Sequence, residues 1–119
     1  MMGADRRQYQ RTPLPFEAKY RFSGDFTTAW RTVRTMNISA GGMRFRSADF
    51  IEEGAVLDVQ VALPTRSEPL TIKARVVWSQ AMGSGVTENG AEFFDVSPDE
   101  ETKIDELVQF LAKRTPPTP

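Results

Sequence analysis

The sequence predicts an all-β fold with a terminal helix: a six-stranded antiparallel β-barrel followed by one C-terminal α-helix. Three observations predict it. Six short runs alternate apolar and polar residues, the period of a strand with one buried face. Glycine, proline and aspartate clusters punctuate those runs. After Ser97-Pro98 the apolar spacing changes to that of a helix. A small open sheet would leave two unpaired edges, and closure removes them.

Residues 1–14 are polar, carry Arg6, Arg7 and Arg11, and run into Thr12-Pro13-Leu14-Pro15, whose prolines favour extended backbone. They are expected to form a flexible lead-in. Residues 15–96 supply the barrel. Phe16, Ala18, Tyr20 and Phe22 make the first apolar face, ended by Ser23-Gly24-Asp25. From Thr28 to Ser39, Trp30, Thr32, Arg34, Met36 and Ile38 share one face, and Ala40-Gly41-Gly42 turns this strand into Met43-Arg44-Phe45-Arg46. Leu57, Val59, Val61 and Leu63 alternate with polar residues or alanine until Pro64. Ile72, Ala74, Val76 and Trp78 form the next inward face, and after Gly83-Ser84-Gly85 the last strand covers Gly90–Phe94. On this alternation Trp30 and Trp78 both point inward, as core residues in preference to platforms for a base.

Residues 97–114 predict the helix. Ser97-Pro98-Asp99-Glu100 is a capping box with proline at the first helical position. Asp99, Glu100 and Glu101 complement the helix dipole, and Ile104, Leu107, Val108 and Leu111 form an apolar stripe suited to docking on the barrel. Residues 115–119, Thr-Pro-Pro-Thr-Pro, are expected to be disordered.

A chain of 119 residues is enough for one domain with its own core. It contains no histidine and no cysteine. That excludes Ser-His-Asp and Cys-His catalysis, thiolate nucleophiles, disulfides and zinc sites built on those ligands. Glu88 and Glu92 offer carboxylates, but no phosphate-loop signature or metal-ligand cluster assists them, so neither an enzyme nor a cofactor is expected. No apolar run is long enough to span a membrane, and Met1 to Arg11 is too polar for a signal peptide. A soluble cytoplasmic protein without membrane insertion is the expectation.

The net charge of −1 hides an asymmetry. Residues 1–46 hold nine Lys/Arg against three Asp/Glu, whereas residues 47–119 hold six against thirteen. An anionic partner would be drawn to the first third of the chain, although a basic surface balanced by an acidic helix needs no ligand.

Two motifs fall within that basic third. Arg7 and Arg11 form an Arg-x-x-x-Arg pair, with Arg6 beside it; such a pair is expected by chance roughly once in this composition. Asn37, Ser39 and Gly42 form Asn-x-Ser-x-x-Gly, expected about 0.03 times. In this order, with the second motif at a strand turn, they resemble the PilZ domain, the bacterial receptor module for cyclic di-GMP. The resemblance extends over nearly the whole chain, through Ala74-Arg75-Val76-Val77-Trp78, Gly90-Ala91-Glu92-Phe93 and the helix after Ser97-Pro98. The first polar position of the family's second motif is often aspartate; here it is Asn37.

The resemblance implies a PilZ-like barrel, a stand-alone single-domain member, with Arg6, Arg7, Arg11, Asn37, Ser39 and Gly42 binding cyclic di-GMP at the barrel's rim. The chemistry suits those residue types. An arginine fork meets both O6 and N7 of guanine, which lysine cannot copy. Arg6 is a third guanidinium, able to help hold a second stacked copy of the ligand. Asn37 offers an acceptor and two donors for a base edge, Ser39 a hydroxyl, and Gly42 an open backbone that also permits a positive φ. Solvated tail charges and a tight strand connection are the plain alternatives for the two motifs. Arg34, Arg44 and Arg46 either border the site or occupy solvated strand faces.

With no catalytic or membrane segment in the sequence, the signal is expected to pass to an unidentified effector protein, from a monomer or weak dimer. Two other readings stand beside this one: a PilZ-like protein-interaction scaffold that binds no nucleotide, and a small-barrel nucleic-acid binder. The net charge of −1 and the lack of an exposed aromatic ladder weigh against the second.

Overall fold

The computed structural model describes residues 16–26, 29–64 and 66–114. Six strands appear: β1 (Phe16–Phe22), β2 (Arg31–Ser39), β3 (Gly42–Ser47), β4 (Val56–Val61), β5 (Leu70–Ala81) and β6 (Thr87–Phe94). They close a barrel in the order β1-β2-β3-β6-β5-β4, with β4 paired back onto β1 and every pairing antiparallel. One helix, α1 (Pro98–Arg114), follows.

The inward faces fill the barrel. Ala18, Tyr20, Ile38, Met43, Phe45, Leu57, Val59, Val61, Ile72, Ala74 and Val76 all belong to one buried cluster. Each fully buried large aliphatic or aromatic side chain contributes about 1.5–3 kcal/mol relative to exposure, so this lining supplies most of the drive to close. A polar bolt runs through it. The Asn89 side chain, fully buried, donates from Nδ2 to Ser47 Oγ at 3.1 Å, while Ser79 Oγ lies 2.6 Å from the Ile51 carbonyl and 3.0 Å from Asn89 Oδ1. Ser47 Oγ in turn donates to the Asp49 carbonyl at 2.6 Å. These bonds fasten the β3–β4 connection, whose Ile51 is buried in the core.

At the opposite end the capping box forms as expected: the Glu100 N–H donates to Ser97 Oγ at 3.1 Å and the Ser97 N–H to Glu100 Oε1 at 3.0 Å. Ile104, Leu107 and Leu111 are buried in the same cluster, and Val108 packs against it. The helix touches both β2 and β5, which lie across the barrel from one another. A helix that reaches both and inserts Ile104 must close a barrel mouth.

Two strands depart from simple alternation. In β2 the register slips between Thr35 and Asn37. Val33 and Thr35 are buried, but the next buried residue is Ile38, so Met36 is the extra residue of a bulge. Trp30, Thr32, Arg34, Met36 and Ile38 therefore do not share one face. Trp30 precedes the strand and is half-buried outside the core, with the Arg21 guanidinium 4.4 Å from its ring centroid. In β5 the register slips between Val76 and Trp78. Ile72, Ala74 and Val76 point inward as expected, but Val77 and Trp78 are both exposed, Trp78 at 37%. An extra residue reverses the pleat, and that reversal carries Trp78 out of the core.

Candidate functional site

Of the six predicted site residues, Asn37, Ser39 and Gly42 are described; Arg6, Arg7 and Arg11 lie outside the described residues. The three described residues line one open cleft of about 330 Å³ on the outer wall, together with Arg44, Val77, Trp78 and Gly90. A recess of similar size elsewhere, lined by Glu17, Lys19, Arg66 and Glu68, holds none of the predicted residues.

Strand register explains the grouping. Asn37 pairs with Arg44 across β2 and β3, Arg44 with Gly90 across β3 and β6, and Gly90 with Trp78 across β6 and β5. These four residues form one cross-strand row. With about 4.8 Å between neighbouring strands, the row spans about 14 Å from Asn37 to Trp78. Both ends owe their outward direction to a bulge: Met36 turns Asn37 outward and Val77 turns Trp78 outward.

The next row toward the β2–β3 turn is Ser39, Gly42, Glu92 and Arg75. Ser39 Oγ accepts the Gly41 backbone N–H at 3.2 Å, which ties the turn and leaves the hydroxyl proton free to donate. Gly42 needs no positive φ. A Cβ there would run into the Ala91 carbonyl oxygen and lie 3.0 Å from Glu92 Cα, so only glycine lets β3 approach β6 this closely. Gly90 plays the matching part for Trp78. A Cβ on Gly90 would overlap Nε1 and Cε2 of the indole and sit 2.8 Å from Cδ1, so the ring lies directly on the glycine backbone. The result is an exposed aromatic plate at one end of the row.

Electrostatics are set by Arg44, whose Nε lies 3.2 Å from Glu88 Oε2. Arg44 is 40% exposed and faces the cleft; the Glu88 side chain is 14% exposed. Arg34 and Arg46 stand outside the cleft lining, directly opposite each other across β2 and β3. Arg75 is held by Phe94, its guanidinium 4.6 Å from the ring centroid. Among the described residues no group of histidine, cysteine, aspartate and glutamate has the arrangement of a metal site.

Trp78 and Gly90 were thus hidden from simple alternation, but two signals point to them. Three consecutive apolar residues, Val76-Val77-Trp78, break the period-2 pattern, as a bulge does. A glycine inside a strand marks the close approach of another group.

Residues 5–110 match the family model described as the PilZ domain. The chain belongs to the PilZ domain family. Among solved structures, the PilZ domain resembles the Bacillus subtilis inhibitor of motility, MotI/DgrA, at 22% identity and a TM-score of 0.65, covering 92% of this chain and 51% of that one. It also resembles the PilZ domain of YcgR from Escherichia coli, a structure with c-di-GMP, at 15% identity and a TM-score of 0.64, covering 83% and 82% of the two chains. The PilZ domain of CeSA from a cellulose-synthesizing bacterium follows, at 17% identity and a TM-score of 0.62, covering 86% and 97%. These likenesses show the shared fold. The chain spans about half the length of MotI/DgrA. No curated protein matches significantly. No described helix is long and apolar enough to cross a membrane.

Proposed function

We propose that this chain is a cyclic di-GMP receptor that holds the nucleotide against the outer wall of the barrel and signals to a separate partner protein. One observation carries the reading. Asn37, Ser39 and Gly42, linked in the sequence only by spacing, line a single cleft that also presents a cation, Arg44, and an aromatic plate, Trp78. A ligand with two phosphates and two guanines needs those elements.

In this reading Arg7 and Arg11 supply forks to guanine O6/N7 and to phosphate, and Arg6 stands beside them. Asn37 addresses a base edge, Ser39 donates its free hydroxyl proton, and Gly42 leaves the cleft floor without a side chain. Trp78 stacks on a guanine face, an interaction of about 1–3 kcal/mol per base. Ordering residues 4–14 over the cleft costs about 1–2 kcal/mol of backbone entropy per residue, which ligand contacts offset, and the ordered segment is the surface offered to the effector.

Calorimetric titration with cyclic di-GMP tests the reading, with GTP, cyclic AMP and single-stranded DNA as controls. Saturable binding of cyclic di-GMP alone is expected. Ligand at a hundred times its dissociation constant should stabilise the fold by about 2.7 kcal/mol. Tighter binding of DNA would favour a nucleic-acid binder. No binding of any of the four would favour a protein-interaction scaffold.

A further inference from the structure

Glu88 sits between two arginines of β3 and pairs with the one that is not its direct neighbour. In the β3–β6 register its partner is Arg46, and on the β5 side it faces Gln80. Its carboxylate nevertheless holds Arg44, two residues along, at 3.2 Å. The Glu88 side chain is the more sheltered member of that pair, and the Arg44 side chain is the more exposed one, although its Nε is buried at the contact. Arg46 is exposed and has no ion pair among the described residues. Across β2 it meets Arg34, also exposed, and like charges placed opposite each other on a sheet repel.

We propose that Glu88 is an exchange carboxylate: with the cleft empty it holds Arg44, and when an anionic ligand takes Arg44 it turns to Arg46. This rests on the nucleotide reading of the cleft, which supplies the anion. The physical reason is the cost of an uncompensated, sheltered charge. A phosphate that drew Arg44 away would strand the Glu88 carboxylate in a poorly solvated position unless another cation stood within reach. Arg46 is that cation. Taking it up also relieves the repulsion between Arg34 and Arg46. Arg46 thereby becomes a positioning residue for a ligand whose cleft it does not line, and occupancy of the cleft changes which arginine stands bare on the β2–β3 face.

The test combines titration with arginine Nε–H NMR on the full chain. Arg46→Gln should weaken cyclic di-GMP binding by roughly 3–10-fold. Glu88→Gln, which leaves Arg44 unclaimed, should tighten it several-fold. In the Glu88→Gln background, Arg46→Gln should change affinity by less than about twofold, because the linkage is gone. Independent, multiplying effects of the two substitutions would overturn the exchange. A ligand-free arm separates this from the receptor reading. Arg44→Gln should by itself move Glu88 to Arg46, shifting the Arg46 Nε–H resonance and slowing its exchange with solvent. An Arg46 signal unchanged by Arg44→Gln overturns the proposal, whatever the titrations give. If the wild type binds no cyclic di-GMP, the receptor reading fails, and the exchange is decided by the Arg44→Gln spectrum.

Discussion

Gly90→Ala isolates the contact between the aromatic plate and its shelf. In an ordinary strand, alanine is favoured over glycine by about 0.5–1 kcal/mol because it loses less backbone freedom on folding. Here the new Cβ would overlap two atoms of the Trp78 indole and lie 2.8 Å from a third. Carbon atoms rest about 3.5–4.0 Å apart, so the ring must retreat by about 1 Å or more. Forcing an extra methyl into a filled site costs about 1–3 kcal/mol. The net expectation is a loss of about 0.5–2 kcal/mol, at roughly 3–6 °C per kcal/mol for a chain of this size. Without the ring the sign should reverse: in a Trp78→Ala background, Gly90→Ala should gain about 0.5–1 kcal/mol. Ligand-free thermal melts of the four proteins, followed by circular dichroism, read both numbers. A Gly90→Ala protein that melts at or above the wild type would refute the claim that the indole rests on Gly90.

Arg7→Ala or Arg11→Ala should each weaken cyclic di-GMP binding by about 1–3 kcal/mol, with lysine failing to restore it and the ligand-free melting temperature unchanged; calorimetry and melts read the two parts. Asn89→Ala removes a buried amide together with its bonds to Ser47 and Ser79, at about 1–3 kcal/mol, so the urea midpoint should fall and amide exchange around Ile51 should quicken. The hydrogen bond and charge of Lys103 hold the Asp99 carboxyl below its ordinary value. That contribution is present above the ordinary carboxylate range and is lost as pH falls through the lowered native value. Asp99→Asn should therefore melt slightly below the wild type at pH 7, and the gap should close as acidification protonates the native carboxyl.

The barrel was legible because alternation and inward packing agree over most of its length: Leu57, Val59 and Val61 occupy the faces that their spacing predicts. The helix was legible because Ser97 and Glu100 bond as their spacing requires. Alternation failed at Met36 and Val77, where one added residue reverses every later side chain; the apolar run Val76-Val77-Trp78 marks the second slip, but no comparable run marks the first. Two of the four residues in the candidate cleft's cross-strand row, Asn37 and Trp78, face outward because of those slips. Asn37 was found by its place in a motif, whereas Trp78, with no motif of its own, was assigned to the core. Gly42 was anticipated for its conformational freedom, but its constraint is the neighbouring Ala91 carbonyl, a contact between strands nearly fifty residues apart.

Both mouths of the barrel are stoppered by the chain itself, by Ile51 at one end and by Ile104, Leu107 and Leu111 at the other. Among the described residues, the chain's own side chains fill the interior. Whatever it recognises must be written on its outside, where Asn37, Ser39 and Arg44 carry little of the packing that holds the fold. Recognition and architecture can then drift apart over generations. On the receptor reading, a substitution at the outer wall can silence or retarget binding and leave a well-folded descendant, so the barrel would outlast a ligand in lines where selection for binding lapses. Gly42 and Gly90 are the exceptions, since each is wedged against a neighbouring strand, and there a change of recognition disturbs the wall as well.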